Sequence, residues 1–164
     1  MSDSTIAGTA AVHNAPPIGR ASTWAIGILL CVGLVAAGYL AYSSLTLTSP
    51  VCGGIGDCDA VQSSAYSHLL DIPVSVIGLA GYIAMAIAFL GLLILRGQTA
   101  RLAHLGLTVF AVSGMVFSFY LTYVELFIIR AICPWCLTSA FVITVLALIA
   151  VDELWRWALA PTES

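Results

Sequence analysis

Four of the five cysteines in this sequence occur as two closely spaced pairs. Cys52 and Cys58 enclose a glycine-rich stretch, Cys-Gly-Gly-Ile-Gly-Asp-Cys, and Cys133 and Cys136 form Cys-Pro-Trp-Cys. Such thiols suit disulfide exchange, in which a thiolate attacks a disulfide sulfur through a mixed disulfide. The fifth, Cys31, lies inside an apolar stretch, where a free cysteine behaves as a small hydrophobic residue.

The spacing in Cys-Pro-Trp-Cys predicts a redox-active pair at a helix start. Residues three apart lie on one helix face, within the Cα separation of a disulfide. Pro134 suits the first helical turn, and the positive end of the helix dipole favours a thiolate. We expect Cys133 to be exposed at this helix start. For the other pair, the glycines predict a flexible loop and an exposed, easily reduced disulfide.

Composition indicates what must hold these cysteines. The 164 residues are 61% hydrophobic and 8% charged, whereas a typical soluble domain is about 25% charged. All five cations are arginine and the net charge is −3, so nucleic-acid binding is not expected. The chain is too apolar for an ordinary soluble domain, and we place it in lipid.

Four apolar stretches are long enough to cross a bilayer, which takes roughly 20 residues. They run over about residues 24–42, 74–95, 102–129 and 134–151. The sequence therefore predicts an all-α membrane protein, a four-helix transmembrane domain over residues 23–151, with a long outer loop at 43–71. Residues 1–22 are predicted to be a disordered cytoplasmic tail and 152–164 a second cytoplasmic tail. Cleavage of the first span near Ala36-Ala37, which would leave three spans, is the alternative.

The arginines predict the orientation of the chain. Arg20, Arg96, Arg101 and Arg156 fall on one side of a four-span protein, and only Arg130 falls on the other. The positive-inside rule assigns the first side to the cytoplasm. Both cysteine pairs then face outwards, on the oxidising side where disulfides persist.

Three other interpretations remain open from the residues alone. Two inert disulfides bracing the outer loop would make this a non-catalytic multi-pass membrane protein. Four cysteines also suit a zinc site, although such sites are typical of reducing compartments, and we expect no metal. A transporter would need broken helices and charges at mid-membrane, which these spans lack.

The sequence resembles the vitamin K epoxide reductase family, in its bacterial disulfide-forming branch without a fused thioredoxin-like domain. The resemblance rests on the pair Cys52…Cys58, on Ser-Ser-Ala-Tyr at 63–66, on Ile-Pro-Val-Ser-Val-Ile-Gly-Leu-Ala-Gly-Tyr at 72–82 and on the Cys-Pro-Trp-Cys motif. It covers residues of about 24–151. The spaced pair precedes the Cys-x-x-Cys pair, which is the reverse of the order in DsbB-type quinone oxidoreductases.

The resemblance implies an electron relay around a quinone, either menaquinone or ubiquinone. Cys52 would form a mixed disulfide with a separate thioredoxin-like or DsbA-like protein outside the membrane. Cys58 would pass the electrons to Cys133, and Cys136 would face the quinone and form a transient adduct with it. The implied protein is a quinone-dependent thiol–disulfide oxidoreductase of the bacterial cytoplasmic (inner) membrane that supports disulfide bond formation, with both termini cytoplasmic and its active site on the outer face.

The candidates for quinone contact are Ser64, Tyr82 and Phe117. Ser64 matches a Ser or Thr that the family uses to hydrogen-bond the quinone, and a cap or turn role is the alternative. Tyr82 and Phe117 suit either a pocket wall or ordinary bundle packing. Glu125 lies in the quinone pocket or at the membrane interface; an acid inside a span is a functional candidate because such residues are rare.

Two positions depart from the animal members of the family. Ala140 stands where those members carry a tyrosine, and Val74 stands where they carry an amide. Both departures weaken the case for vitamin K epoxide reduction but leave transfer from disulfide to quinone unaffected.

Overall fold

Four long helices form the protein in the computed structural model, which describes residues 18–52, 54 and 56–158. They are α1 (Arg20–Thr46), α3 (Val74–Ile94), α4 (Gln98–Tyr123) and α5 (Pro134–Ala158). A π-helix, Val124–Ile129, continues α4 without a break. All four segments are long and apolar enough to cross a membrane, which confirms the predicted all-α, four-span fold. Residues 1–17 of the first expected tail (1–22) and residues 159–164 of the second (152–164) lie outside the described residues.

The helices pack as a ring. Helices α1 and α4 each contact both α3 and α5. Gly33 of α1 is required for this packing, because a Cβ atom there would overlap the ring of Tyr82 on α3. Small residues allow such close helix approach inside membranes. The outward faces carry large exposed apolar side chains such as Ile87 and Phe141, as expected for a surface in contact with lipid.

Short elements cover the end of the bundle where the chain passes from α1 to α3, which we call the loop end. They are α2 (Cys58–Gln62), a 3₁₀-helix (Ala65–Ser67) and an antiparallel hairpin of β1 (His68–Leu69) with β2 (Ile72–Pro73). The two turn residues of the hairpin, Leu70 and Asp71, both have positive φ, as a tight two-residue hairpin requires.

The π-helix ends at the loop end as well. Arg130 adopts a left-handed conformation with φ of 57°, and its N–H donates to the carbonyl of Glu125. The N–H of Ala131 donates to the same carbonyl at 3.2 Å. The chain therefore turns sharply into α5, and Cys133 comes to lie beside the elements that follow Cys52. Both cysteine pairs are at one end of the bundle.

Candidate dithiol and cavity site

The loop pair is joined as a disulfide, with 6.2 Å between the Cα atoms of Cys52 and Cys58. Cys58 is the first residue of α2 and is only 2% exposed, while Cys52 is half-buried. The expectation of an exposed disulfide on a loosely packed loop is therefore wrong. The loop is held by hydrogen bonds to residues far along the chain, and Gly56 makes room for one of them.

One tether joins the loop to the segment before α5. The N–H of Asp57 donates to the carbonyl of Ile132 at 3.0 Å. Gly56 has a φ of 85°, and a Cβ atom on it would collide with that same carbonyl oxygen. Only glycine allows this approach without strain. Asp57 also accepts the N–H of Ala60 on its side chain at 3.0 Å, which caps α2 just behind Cys58.

A second tether holds the residue before Cys52. The indole N–H of Trp135 donates to the carbonyl of Val51 at 3.0 Å, and the N–H of Val51 donates to the Tyr39 hydroxyl at 2.8 Å. The rings of Tyr39 and Trp135 pack with their centroids 4.9 Å apart. The backbone next to Cys52 is thus bound on both its polar groups, one of them by the Cys-Pro-Trp-Cys motif itself.

The second pair, Cys133 and Cys136, lies at a helix start as the motif predicts, but Cys133 is buried and not exposed. Helix α5 begins at Pro134, and the sulfur atoms of Cys133 and Cys136 are 2.6 Å apart. The thiol of Cys136 donates to the Cys133 sulfur, and this hydrogen bond, partly opposed by burial, lowers the pKa of Cys133 below the ordinary thiol value. Cys133 itself is 0% exposed. The expectation that it is exposed at the helix start is therefore wrong, because the loop covers it.

The two pairs meet in one buried cluster. Cys58 and Cys133 are packed together with Leu40 and Val61, and the other two redox candidates, Cys52 and Cys136, border the same cluster. Sequence analysis predicted both pairs on one side of the membrane but not that they pack against each other. A disulfide exchange between the pairs needs this proximity, because the attacking thiolate must reach the sulfur directly.

A cavity with a volume of about 820 Å³, counting its open mouth, lies beside Cys136. Side chains from all four long helices line it, and most of that lining is apolar. Ser64 and Phe117 also line it, together with Val74 and Ala140, the positions where animal members carry polar groups. The hydroxyl of Ser64 donates to the Val61 carbonyl at 2.7 Å, which is a turn contact. Ser64 therefore makes the turn contact and also lines the cavity.

Tyr82 is placed differently from the other candidates. It is 4% exposed, packs in the core against Gly33 and does not line the cavity. Its hydroxyl is 3.1 Å from the carbonyl oxygen of Ser139 and 3.2 Å from the hydroxyl of Ser139, a residue that does line the cavity. The structure thus places Tyr82 behind the cavity wall.

Sequence analysis left Glu125 between a pocket and an interface position, and the structure places it on the cavity. It also missed Gly56, Tyr39 and Trp135 as residues that position the cysteines. The glycine-rich stretch between Cys52 and Cys58 was the only local signal for Gly56. Nothing in the sequence pattern pairs Val51 with Trp135. Among the described residues, no group of three or more His, Cys, Asp or Glu side chains is arranged to hold a metal ion.

Two cysteine pairs packed into one cluster at one end of a bundle of four membrane-length helices are the arrangement expected of a membrane thiol–disulfide protein. The sequence model of the vitamin K epoxide reductase family matches residues 24–151. The chain belongs to this family. It is therefore a multi-pass membrane protein and a thiol–disulfide oxidoreductase, in a family that is generally quinone-linked and generally works with a thioredoxin-like partner.

Proposed function

We propose that this protein passes electrons from a separate extracytoplasmic thioredoxin-like protein, through its two cysteine pairs, to a membrane quinone, and so supports disulfide bond formation. The observation that supports this most strongly is that both pairs pack into one buried cluster, with an apolar cavity beside the last cysteine. In a relay each sulfur atom must reach the next one. Two disulfides that only brace the outer loop have no need to lie close together.

Entry of electrons is assigned to Cys52. It is half-buried and follows the exposed Val51, whereas Cys58 is buried. A thiolate of the partner protein bonds to the Cys52 sulfur, the Cys52–Cys58 bond breaks and Cys58 leaves as a thiolate. The second thiol of the partner then displaces Cys52, so that the partner leaves with a disulfide and the loop pair is a dithiol.

Transfer to the second pair follows inside the cluster. The Cys58 thiolate attacks the Cys133 sulfur of a Cys133–Cys136 disulfide, and Cys136 leaves as a thiolate beside the cavity. Cys52 then attacks Cys58 in the mixed disulfide, which restores the loop disulfide and releases Cys133. The two thiolates formed on the second pair take up the two protons that the loop thiols give up, so Cys133 and Cys136 are left as a dithiol. The net result is that two electrons have moved to the pair next to the cavity.

The cavity fits a quinone by its chemistry. Flat apolar ligands bind in largely hydrophobic clefts with a few placed polar groups, and here the walls are apolar while Ser64, Ser139 and Glu125 supply polar atoms. Phe117 would contact the ring and Cys136 would face it, with Tyr82 acting only through Ser139. A bound quinone accepts two electrons and two protons. Menaquinone and ubiquinone both suit this site.

The proposed location is the bacterial cytoplasmic membrane, with the loop end outside and both termini in the cytoplasm. The arginine asymmetry supports this orientation. A membrane-impermeant thiol reagent applied to reduced intact cells should then label Cys52 in a Cys58→Ser variant. Labelling that requires permeabilised membranes would contradict the orientation.

The function is tested on the purified full chain in detergent, with a small dithiol as electron donor and a short-chain ubiquinone as acceptor. We expect loss of the quinone absorbance with the wild-type protein and at least a roughly 10³-fold slower rate with Cys136→Ser, because the terminal donor is removed. Cys31→Ser is the matched control, since Cys31 faces outwards from α1, and it should keep the native rate. A wild-type protein that reduces no quinone and keeps its cysteines oxidised would support the bracing role instead.

A further inference from the structure

Glu125 is the one buried carboxylate among the described residues, with 4% of its surface exposed. It is the second residue of the π-helix Val124–Ile129. A π-helix has more residues in each turn than an α-helix, so it redirects the side chains that it carries, and such segments occur frequently at functional sites. A buried acid in a membrane protein is costly and needs specific partners.

Glu125 lies beside the Cys-Pro-Trp-Cys motif. One carboxylate oxygen accepts the N–H of Cys133 at 3.4 Å, and the sulfur of Cys133 is 2.6 Å from that of Cys136. Glu125 and Cys136 both line the cavity. The other titratable side chain on the cavity is Tyr66, and no Arg, His or Asp among the described residues lines it.

The chemistry of the second pair requires a base at this position. In the reduced pair, the thiol of Cys136 donates its proton towards the Cys133 sulfur. Oxidation to a disulfide needs that proton to leave. The cavity wall is mostly apolar, so a positioned side chain is a better acceptor than scattered water. Among the described residues, Glu125 is the only carboxylate that lines the cavity together with Cys136.

We propose that Glu125 accepts the proton of the Cys136 thiol when the Cys133–Cys136 dithiol is oxidised. This rests on the proposed function, with a quinone in the cavity as the electron acceptor. The Cys136 S–H bond breaks, its proton moves to the Glu125 carboxylate, and the Cys133–Cys136 bond forms as two electrons leave for the quinone. Glu125 then gives its proton to the reduced quinone. The second proton of the reduced quinone comes from solution, and it balances the proton that Cys133 released to solution when it became a thiolate.

The test uses the quinone-reduction assay over a range of pH with Glu125→Gln and Glu125→Asp. Glutamine can still accept the Cys133 N–H but cannot take up a proton, so we expect quinone reduction to fall by about 10²–10³-fold near neutral pH. Its rate should then rise about tenfold for each pH unit, because hydroxide must replace the lost base. Aspartate should restore most of the rate, within about tenfold of the wild type.

The readouts separate this proposal from the function on which it rests. Reduction of the Cys52–Cys58 disulfide by the dithiol, followed as a gel shift after alkylation, should be unchanged in Glu125→Gln. Asp71→Asn, at the exposed hairpin turn, is the matched control and should leave both reactions unchanged. An active wild type with an equally active Glu125→Gln variant of the same pH profile would overturn the role of Glu125 alone. An inactive wild type would overturn the function.

A second measurement does not depend on how well the glutamine variant folds. Infrared difference spectra of the wild-type protein between its reduced and oxidised states should show a carboxylic-acid band that reports protonation of a buried carboxyl group. The band should shift in Glu125→Asp and should remain unchanged in Asp71→Asn. If no carboxyl band changes upon oxidation of the pair, or if the band is the same in Glu125→Asp, the proposal is wrong.

Discussion

The two cysteine pairs of this protein reach the same buried cluster by different means. Cys133 and Cys136 are three residues apart at the start of α5, and the helix itself brings their sulfur atoms to 2.6 Å. Cys52 and Cys58 are six residues apart, and the backbone next to each of them is held by residues distant in sequence: Asp57 binds Ile132, and Val51 binds Trp135.

The difference indicates where each pair is vulnerable. The geometry of the helix pair is local and depends on α5 continuing to form. The geometry of the loop pair depends on tethers, and both tethers end within or next to the Cys-Pro-Trp-Cys motif. The motif therefore carries one cysteine pair and also positions the other one, which keeps the loop pair close to it.

The largest effect is expected from removing the cysteine that links the pairs. In Cys58→Ser, Cys52 is a free thiol. A thioredoxin-like partner that has lost its own second cysteine should be joined to it as a mixed disulfide when a small disulfide such as cystine is supplied as the oxidant and is reduced to two thiols. This conjugate should accumulate, because no protein thiol remains to displace the partner. Turnover should fall by at least about 10³-fold. Non-reducing electrophoresis of co-expressed proteins gives the measurement.

Two companion variants decide whether the loop pair meets the partner first. Cys52→Ser combined with Cys58→Ser should give no conjugate. A conjugate that forms instead on Cys133 in Cys136→Ser, and never on Cys52, would mean that the loop pair is structural and that the helix pair receives the electrons directly.

A smaller effect is expected from disturbing the first tether. Gly56→Ala places a methyl group against the Ile132 carbonyl and forces an L-residue to a φ of 85°. We expect a loss of about 1–3 kcal/mol in stability. We also expect about 10–100-fold slower electron transfer from Cys58 to Cys133. The rate is measured by reducing the loop pair, quenching the reaction with acid at set times and alkylating the free thiols.

Gly54→Ala is the matched control for this tether. Gly54 has a similar positive φ of 78°, but nothing lies within 4 Å of a Cβ atom there. It should show the backbone cost of about 1–2 kcal/mol with little change in the transfer rate. Equal slowing in both variants would show that loop strain, and not contact with Ile132, controls transfer.

The smallest effect is expected from the second tether. Trp135→Phe removes the indole N–H that binds Val51, and Tyr39→Phe removes the hydroxyl that accepts the Val51 N–H. Each substitution should lower the free energy of unfolding by about 0.5–1.5 kcal/mol. Each should slow the reduction of the loop disulfide, or the electron transfer from Cys58 to Cys133, by no more than about tenfold.

The double variant shows whether these two contacts act as one tether. Because both side chains bind the backbone of the same residue, Val51, the double variant should lose less than the sum of the single losses. Trp155→Phe, at an exposed tryptophan of α5, controls for loss of an indole as such. Strict additivity would mean that the two hydrogen bonds hold Val51 independently.

The sequence by itself determined the class of fold and identified the candidate redox cysteines. Four apolar stretches predicted four spans because the free energy of membrane insertion accumulates along a single segment, independently of the rest of the chain. The position of Pro134 predicted where α5 begins, since helix-start preferences are local. The identity of the four candidate redox cysteines likewise came from spacing, and their roles remain predictions.

Only the tertiary structure decided how the site is assembled. The contact of Val51 with Trp135 joins residues 84 positions apart, and no local pattern encodes such a pair. Burial of Cys133 depends on a loop from elsewhere in the chain, so its local position at a helix start predicted the wrong exposure. Glu125 reaches the cysteines because a π-helix replaces the last turns of α4, and packing at the loop end, which no periodicity in the sequence reports, determines that geometry.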